Sequence, residues 1–254
     1  MFPEINLILG KVGTFNLCAG LGLLSMVCLS MWQTRCLGMD RRTEQFFLQS
    51  IPFVTILSII PACLSDIIFR WPNFKENPLG FGMTFYGWLL GCIFGWSLYA
   101  LVAKTNARSL LNFFCPTLAL AQAFGRIGCF FAGCCHGRPT ESCIGLRFPE
   151  HSMPWKQYGN SPIYPVQLID AIWLFSVTAI LFWIIPFKNR MGCYFIFIGS
   201  GRFFTEFLRG DNRGVIFENW HLSPAQILSL IFIATGVIVI VRNRTERKAN
   251  HGSR

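Results

Sequence analysis

Residues 123–140 read AFGRIGCFFAGCCHGRPT, and they decide what kind of molecule this is. Arg126 stands there inside otherwise apolar sequence, followed by Gly128, Gly133 and Gly137. A charge at bilayer depth costs roughly 2.5–3.5 kcal/mol even on lenient insertion scales, so Arg126 needs a partner or a task. The small residues around it let a helix or a ligand come close to its backbone. A second arginine in the same situation, Arg202, sits in GRFFTEFLRGD.

Outward from this stretch, the composition agrees. Of 254 residues 53% are hydrophobic and only 13% charged, where a soluble domain carries about 25% charged residues. The chain therefore reads as a polytopic all-α membrane protein, a single domain over 1–254. Apolar runs near 15–32, 46–64, 83–103, 110–129, 165–187, 192–208 and 222–241 give about seven spans. Pro52 and Pro61 are expected to kink the second. Residues 65–81 read as a loop or short interfacial helix, and 137–164 as a small extracytoplasmic cap. The start lacks a basic region before a short apolar core, so no removable signal peptide is expected.

Basic residues set the orientation. Arg35, Arg41, Arg42, Lys104, Arg108, Lys188, Arg190 and the tail at 242–254 fall on one side, with fewer on the other. The positive-inside rule then places the N-terminus out and the C-terminus in, with 242–254 as a basic cytoplasmic tail. It also aims the ends of the Arg126 and Arg202 spans at the outer side. Most of the 11 cysteines lie in apolar runs, where Cys acts as a small hydrophobe.

Arg202, Glu206 and Arg209 recur at helical spacing along one stripe. An ion pair that only neutralises itself would explain the first two. Two arginines facing one cavity would exceed one glutamate, and the surplus suits a phosphate held by paired hydrogen bonds. In a bilayer that means a phospholipid headgroup. Gln167 and Asp170 share a face in YPVQLID, although a helix dipole would also account for Asp170. Tyr86, in GMTFYG, could offer a hydroxyl to a site or simply find a buried partner. Ser223 before Pro224 is a good helix N-cap, leaving Gln226 without an assigned role.

Cys129, Cys134, Cys135 and His136 cluster, with Cys143 beyond. Packing, a disulfide from Cys143 to Cys134 or Cys135, and a reactive thiol are the readings open to them. No metal is expected, because adjacent cysteines rarely both reach one point. His136 is at the membrane edge, as a solvated side chain or a base.

GRIG with the glycines from Gly125 to Gly137, GMTFYG, YPVQLID, GRFFTEFLRGD and LSPAQILS occur in an order and spacing that resembles the bacterial prolipoprotein diacylglyceryl transferases. The resemblance runs from about residue 79 to 241. It implies an enzyme of the bacterial inner membrane, its active site toward the outer leaflet. The reaction would move diacylglycerol from phosphatidylglycerol to the lipobox cysteine of an exported prolipoprotein. It further implies Arg126, Arg202 and Glu206 as catalytic residues, joined here by Tyr86. Gly125, Gly128, Gly137, Gln167, Asp170 and Arg209 would bind substrate. No cofactor is expected, and no nucleic acid. Tyr86, Cys129, Ala132 and Cys134 depart from the family pattern, which has histidine at position 86 and polar side chains at the other three. Two further readings follow: an accessory protein that binds anionic phospholipid, or a transferase with a different acceptor. A transporter would need broken helices paired across two repeats, which the sequence lacks.

Overall fold

The structure, a computed structural model, describes residues 4–7, 10–69, 84–210 and 222–252. It is helical apart from a short antiparallel hairpin, β1 (Glu4–Leu7) and β2 (Gly10–Gly13). The long helices are α1 (Thr14–Cys36), α2 (Arg41–Phe69), α3 (Phe85–Val102) and α4 (Ala107–Ala132). Then come a short α5 (Met153–Tyr158), α6 (Val166–Ala179), α7 (Arg190–Glu206) and α8 (Pro224–Gly252). Among the described residues, six helices are long and apolar enough to cross a membrane: α1 to α4, α6 with its extension to Ile184, and α8. The remaining expected span, 192–208, is α7, which at 17 residues spans about 25 Å. Large apolar side chains face outward along these helices, among them Ile56, Leu101, Ile172, Trp183 and Phe204, as lipid contact requires.

The chain divides into two compact units, Met1–Met26 with Cys115–Arg254, and Val27–Phe114. Within the Val27–Phe114 unit, α3 presents Gly87, Gly91 and Gly95 to α2 at four-residue spacing. A Cβ on Gly91 would lie 2.7 Å from the Ser58 Cα, and one on Gly95 3.2 Å from Val54. Small residues at this spacing bring two helices close where no hydrophobic force drives them together. Trp96 is fully enclosed, stacked on Phe114 at 4.4 Å and donating to Ser50 Oγ (3.1 Å). Helix α2 runs unbroken through Pro52 and Pro61 and extends to Phe69. It thus takes up the start of the expected 65–81 loop, and residues 70–81 lie outside the described residues.

In the other unit, α7 and α8 pack by the same device. A Cβ on Gly199 would sit 2.7 Å from the Ser229 carbonyl, and one on Gly236 2.5 Å from that of Gly192. The beginning of α1 lies on α4, with Gly128 against Cys18 and Phe15. Helix α6 ends in a π-helical turn, Ile180–Ile184, followed by a 3-10 turn at Phe187–Asn189. Arg190 is buried there rather than facing water: it donates to the Phe182 carbonyl (3.0 Å) and lies over the Phe182 and Phe187 rings. Between α4 and α6 the chain folds onto itself through short backbone bridges, Pro139 and Leu146 both pairing with Ile163. The segment from 242 continues α8 to Gly252, so what read as a tail is helical.

Candidate functional site

The last turns of α4 carry Gly125, Arg126, Gly128 and Cys129. Two left-handed residues then bend the chain sharply, Gly133 (φ +75°) and Cys135 (φ +59°). A non-glycine residue rarely adopts that backbone, so the surroundings must hold Cys135 there. The hold is visible: Gln167 Nε2 donates to the Cys134 carbonyl (2.7 Å), and Gly137 pairs with Arg209 in a β-bridge. Around that bridge Gly137 N–H donates to Tyr164, Arg138 N–H to Leu208 and Gly210 N–H to His136. Any Cβ on Gly137 would strike the Tyr164 backbone and the Leu208 carbonyl. Gly125, by contrast, has no described atom within 4 Å of where its Cβ would be.

The expected arginines are buried and matched to carboxylates. Arg126 Nε lies 3.3 Å from Asp170 Oδ2, joining α4 to α6. Arg202 meets Glu206 at 2.6 Å, and Arg209 reaches the same carboxylate oxygen at 4.0 Å. Ser223, at the start of α8, donates to the other Glu206 oxygen (2.9 Å). Ser223 Oγ also accepts from the Gln226 N–H while Gln226 Oε1 accepts from the Ser223 N–H, a reciprocal capping box that gives Gln226 its role. Among the described residues, three buried guanidiniums thus gather around the carboxylates of Asp170 and Glu206 in a poorly hydrated place. Gln167 is fully buried, and its Oε1 has no hydrogen-bond partner among the described residues.

The cysteines also converge. The sulfurs of Cys129, Cys134 and Cys135 all lie within 4.8 Å of one another. The argument that neighbouring cysteines cannot both reach one point fails here, because the left-handed turn at Cys135 brings its sulfur to the side of Cys134. Cys135 is held well below the ordinary thiol value by hydrogen bonds from Cys129 and Cys134, with the charges of Arg209 and Arg126 adding to the effect. Cys143 is exposed, outside this group, and none of the cysteines is in a disulfide. His136 is buried against Tyr158, and its Nδ1 lies 3.1 Å from the Gly137 carbonyl, which accepts. Tyr86 lies buried at the first turn of α3, in the Val27–Phe114 unit, behind the Thr84 N-cap.

Sequence reasoning missed the Arg126–Asp170 pair and the tie from Ser223 to Glu206. The signal was there: Asp170 and Glu206 are the acidic residues deepest in the apolar runs, as Arg126 and Arg202 are the basic ones.

The fold and these buried ion pairs define a polytopic helical membrane protein with arginines held inside its helices. The chain matches the prolipoprotein diacylglyceryl transferase family over residues 4–242, and it belongs to that family. It is 32% identical over 260 residues to a phosphatidylglycerol–prolipoprotein diacylglyceryl transferase 2 of Clostridium perfringens, covering 96% of each chain. It is likewise 32% identical to the transferase of Clostridium tetani (94% of this chain, 96% of the relative), and 30% to that of Clostridium novyi (83% and 82%).

Proposed function

We propose that this protein transfers the diacylglyceryl group of phosphatidylglycerol to the lipobox cysteine thiol of exported prolipoproteins, working in the bacterial inner membrane with its site toward the outer leaflet. The observation that carries this is the gathering of three buried arginines, Arg126, Arg202 and Arg209, each held by a carboxylate, in a chain of the transferase family. In the reaction the acceptor sulfur attacks the glycerol carbon next to the phosphate. The C–S bond forms as the C–O bond breaks, and glycerol phosphate leaves with the electron pair.

Negative charge grows on the departing phosphate, so fixed guanidiniums at its oxygens stabilise the transition state most. Arg126 and Arg202 take that role, oriented by Asp170 and Glu206, with Arg209 and Ser223 steadying Glu206. Gly125, with open space before it, lets the lipid approach the α4 backbone, while Gly128 and Gly137 serve by allowing close packing. Gln167 offers its unmatched Oε1 to a donor such as the glycerol hydroxyl. The fold from 137 to 164 forms the outer cap under which peptide and lipid meet, which supplies proximity.

The test is expression in cells depleted of their own transferase, following a lipobox reporter by mass. A gain of one diacylglyceryl group, absent in Arg126→Ala and Arg202→Ala, supports the reading. An unmodified reporter beside inserted, stable protein refutes it.

A further inference from the structure

The three sulfurs at the end of α4 have a geometry that packing alone does not require. Cys129 is three residues beyond Arg126 on one helical face, and Cys134 and Cys135 return to it across the left-handed turn. Their sulfurs lie within 4.8 Å of one another, and none of the three residues is fully buried. In a tetrahedral zinc–thiolate site with Zn–S near 2.3 Å, the sulfurs stand about 3.8 Å apart. The cluster therefore needs to close by about 1 Å at most. His136, the next residue, is turned to the Gly137 carbonyl and does not join the sulfurs, so the described residues supply three ligands and leave a fourth position open among them. Three ligands with one open position is the pattern of catalytic rather than structural zinc.

We infer that Cys129, Cys134 and Cys135 form a three-sulfur site for a thiophilic divalent cation, zinc by its chemistry, whose open position takes the acceptor thiol. This rests on the thiol-acceptor reading above and adds how the thiol is activated. Asp170 and Glu206 are already engaged by arginines, and a free thiol is only a few per cent ionised near neutral pH. A thiol that coordinates a metal is deprotonated outright. Its proton passes to solvent, its sulfur attacks the glycerol carbon, and the phosphate leaves with the C–O electron pair beside Arg126. The product thioether has no charge and is a weaker ligand, so it leaves, and the three cysteines keep the cation. No oxidant or reductant is consumed.

The experiment uses the full chain, purified reduced in detergent, stripped with a chelator and titrated with cobalt(II). The expected result is one cobalt per chain with intense sulfur-to-cobalt charge-transfer and d–d bands of a tetrahedral sulfur site. A peptide bearing a lipobox cysteine should shift the d–d bands, and its serine counterpart should not. Cys134→Ser and Cys135→Ser should each weaken binding at least tenfold while the protein keeps its melting temperature. With phosphatidylglycerol present, chelation should slow transfer about tenfold at pH 7, from the larger thiolate fraction discounted for its lower nucleophilicity, with recovery on adding zinc. The gap should narrow as pH rises and the free thiol ionises. Absence of the bands, a disulfide between two of the three cysteines in the native protein, or full transfer by chelated protein would each overturn the metal site. That last result leaves the transferase reading intact. Cobalt bands that the peptide shifts, in a protein inactive under every condition, would support the site and sink the transferase reading instead.

Discussion

Replacing Asp170 by asparagine removes the carboxylate 3.3 Å from Arg126 Nε and leaves the shape of the side chain. Both side chains are about nine-tenths buried, 11% and 8% exposed, so water does little to replace the lost charge. At 3.3 Å and an effective dielectric constant of 20 the attraction is about 5 kcal/mol. Breaking one member of a buried pair costs about 3–5 kcal/mol, because the remaining charge is stranded. Asp170→Asn should therefore unfold far more readily than the parent in mixed micelles of neutral detergent. Arg126→Met should also destabilise, and the double variant should be less unstable than the sum of the two, with a coupling of about 2 kcal/mol or more. Adding phosphatidylglycerol should narrow the gap for Asp170→Asn alone, since an anionic headgroup supplies the charge that Arg126 lost. A coupling below about 0.5 kcal/mol would show that the pair is not energetically linked, and the reasoning about buried arginines would fall.

Further outcomes follow from the same geometry. Gly137→Ala would drive a methyl into the Tyr164 backbone and the Leu208 carbonyl, and should cost about 3 kcal/mol and most activity by thermal unfolding and transfer assay; Gly125→Ala, facing open space, should leave stability within about 0.5 kcal/mol. Ser223→Ala loses both the cap of α8 and a bond to Glu206, so it should destabilise by about 1–2 kcal/mol and slow transfer several-fold; unchanged turnover would show that Glu206 needs no second anchor. Arg190→Ala strands the carbonyls at the end of α6 and should destabilise by about 2–3 kcal/mol without altering lipid affinity of the folded protein; a loss of affinity would contradict its structural role.

Much of this was legible because a membrane makes polar residues conspicuous. Arg126, Arg202 and Glu206 stand out in apolar runs, and the helical spacing of Glu206 to its two arginines can be read directly. The Arg126–Asp170 pair joins residues far apart in the chain, so spacing says nothing of it. Arg190 shows the opposite failure: at the edge of a span it looks like an orientation charge, yet it serves the carbonyls freed by the π-helical end of α6. The cysteine cluster was visible as a cluster, but its convergence depends on one backbone angle at Cys135, which residue type does not encode. The hairpin at 4–13 was missed, its strands of four residues being too short to show a period.

The central claim is a phosphate-leaving transfer on buried arginines. Its most direct test is the purified protein in vesicles of phosphatidylglycerol or phosphatidylethanolamine, given a lipobox peptide and followed by mass. The account predicts a peptide heavier by one diacylglyceryl group, with glycerol phosphate released, in phosphatidylglycerol vesicles, and no gain with Arg202→Ala. A folded protein that leaves the peptide unchanged there, or an Arg202→Ala variant as active as the parent, would contradict it.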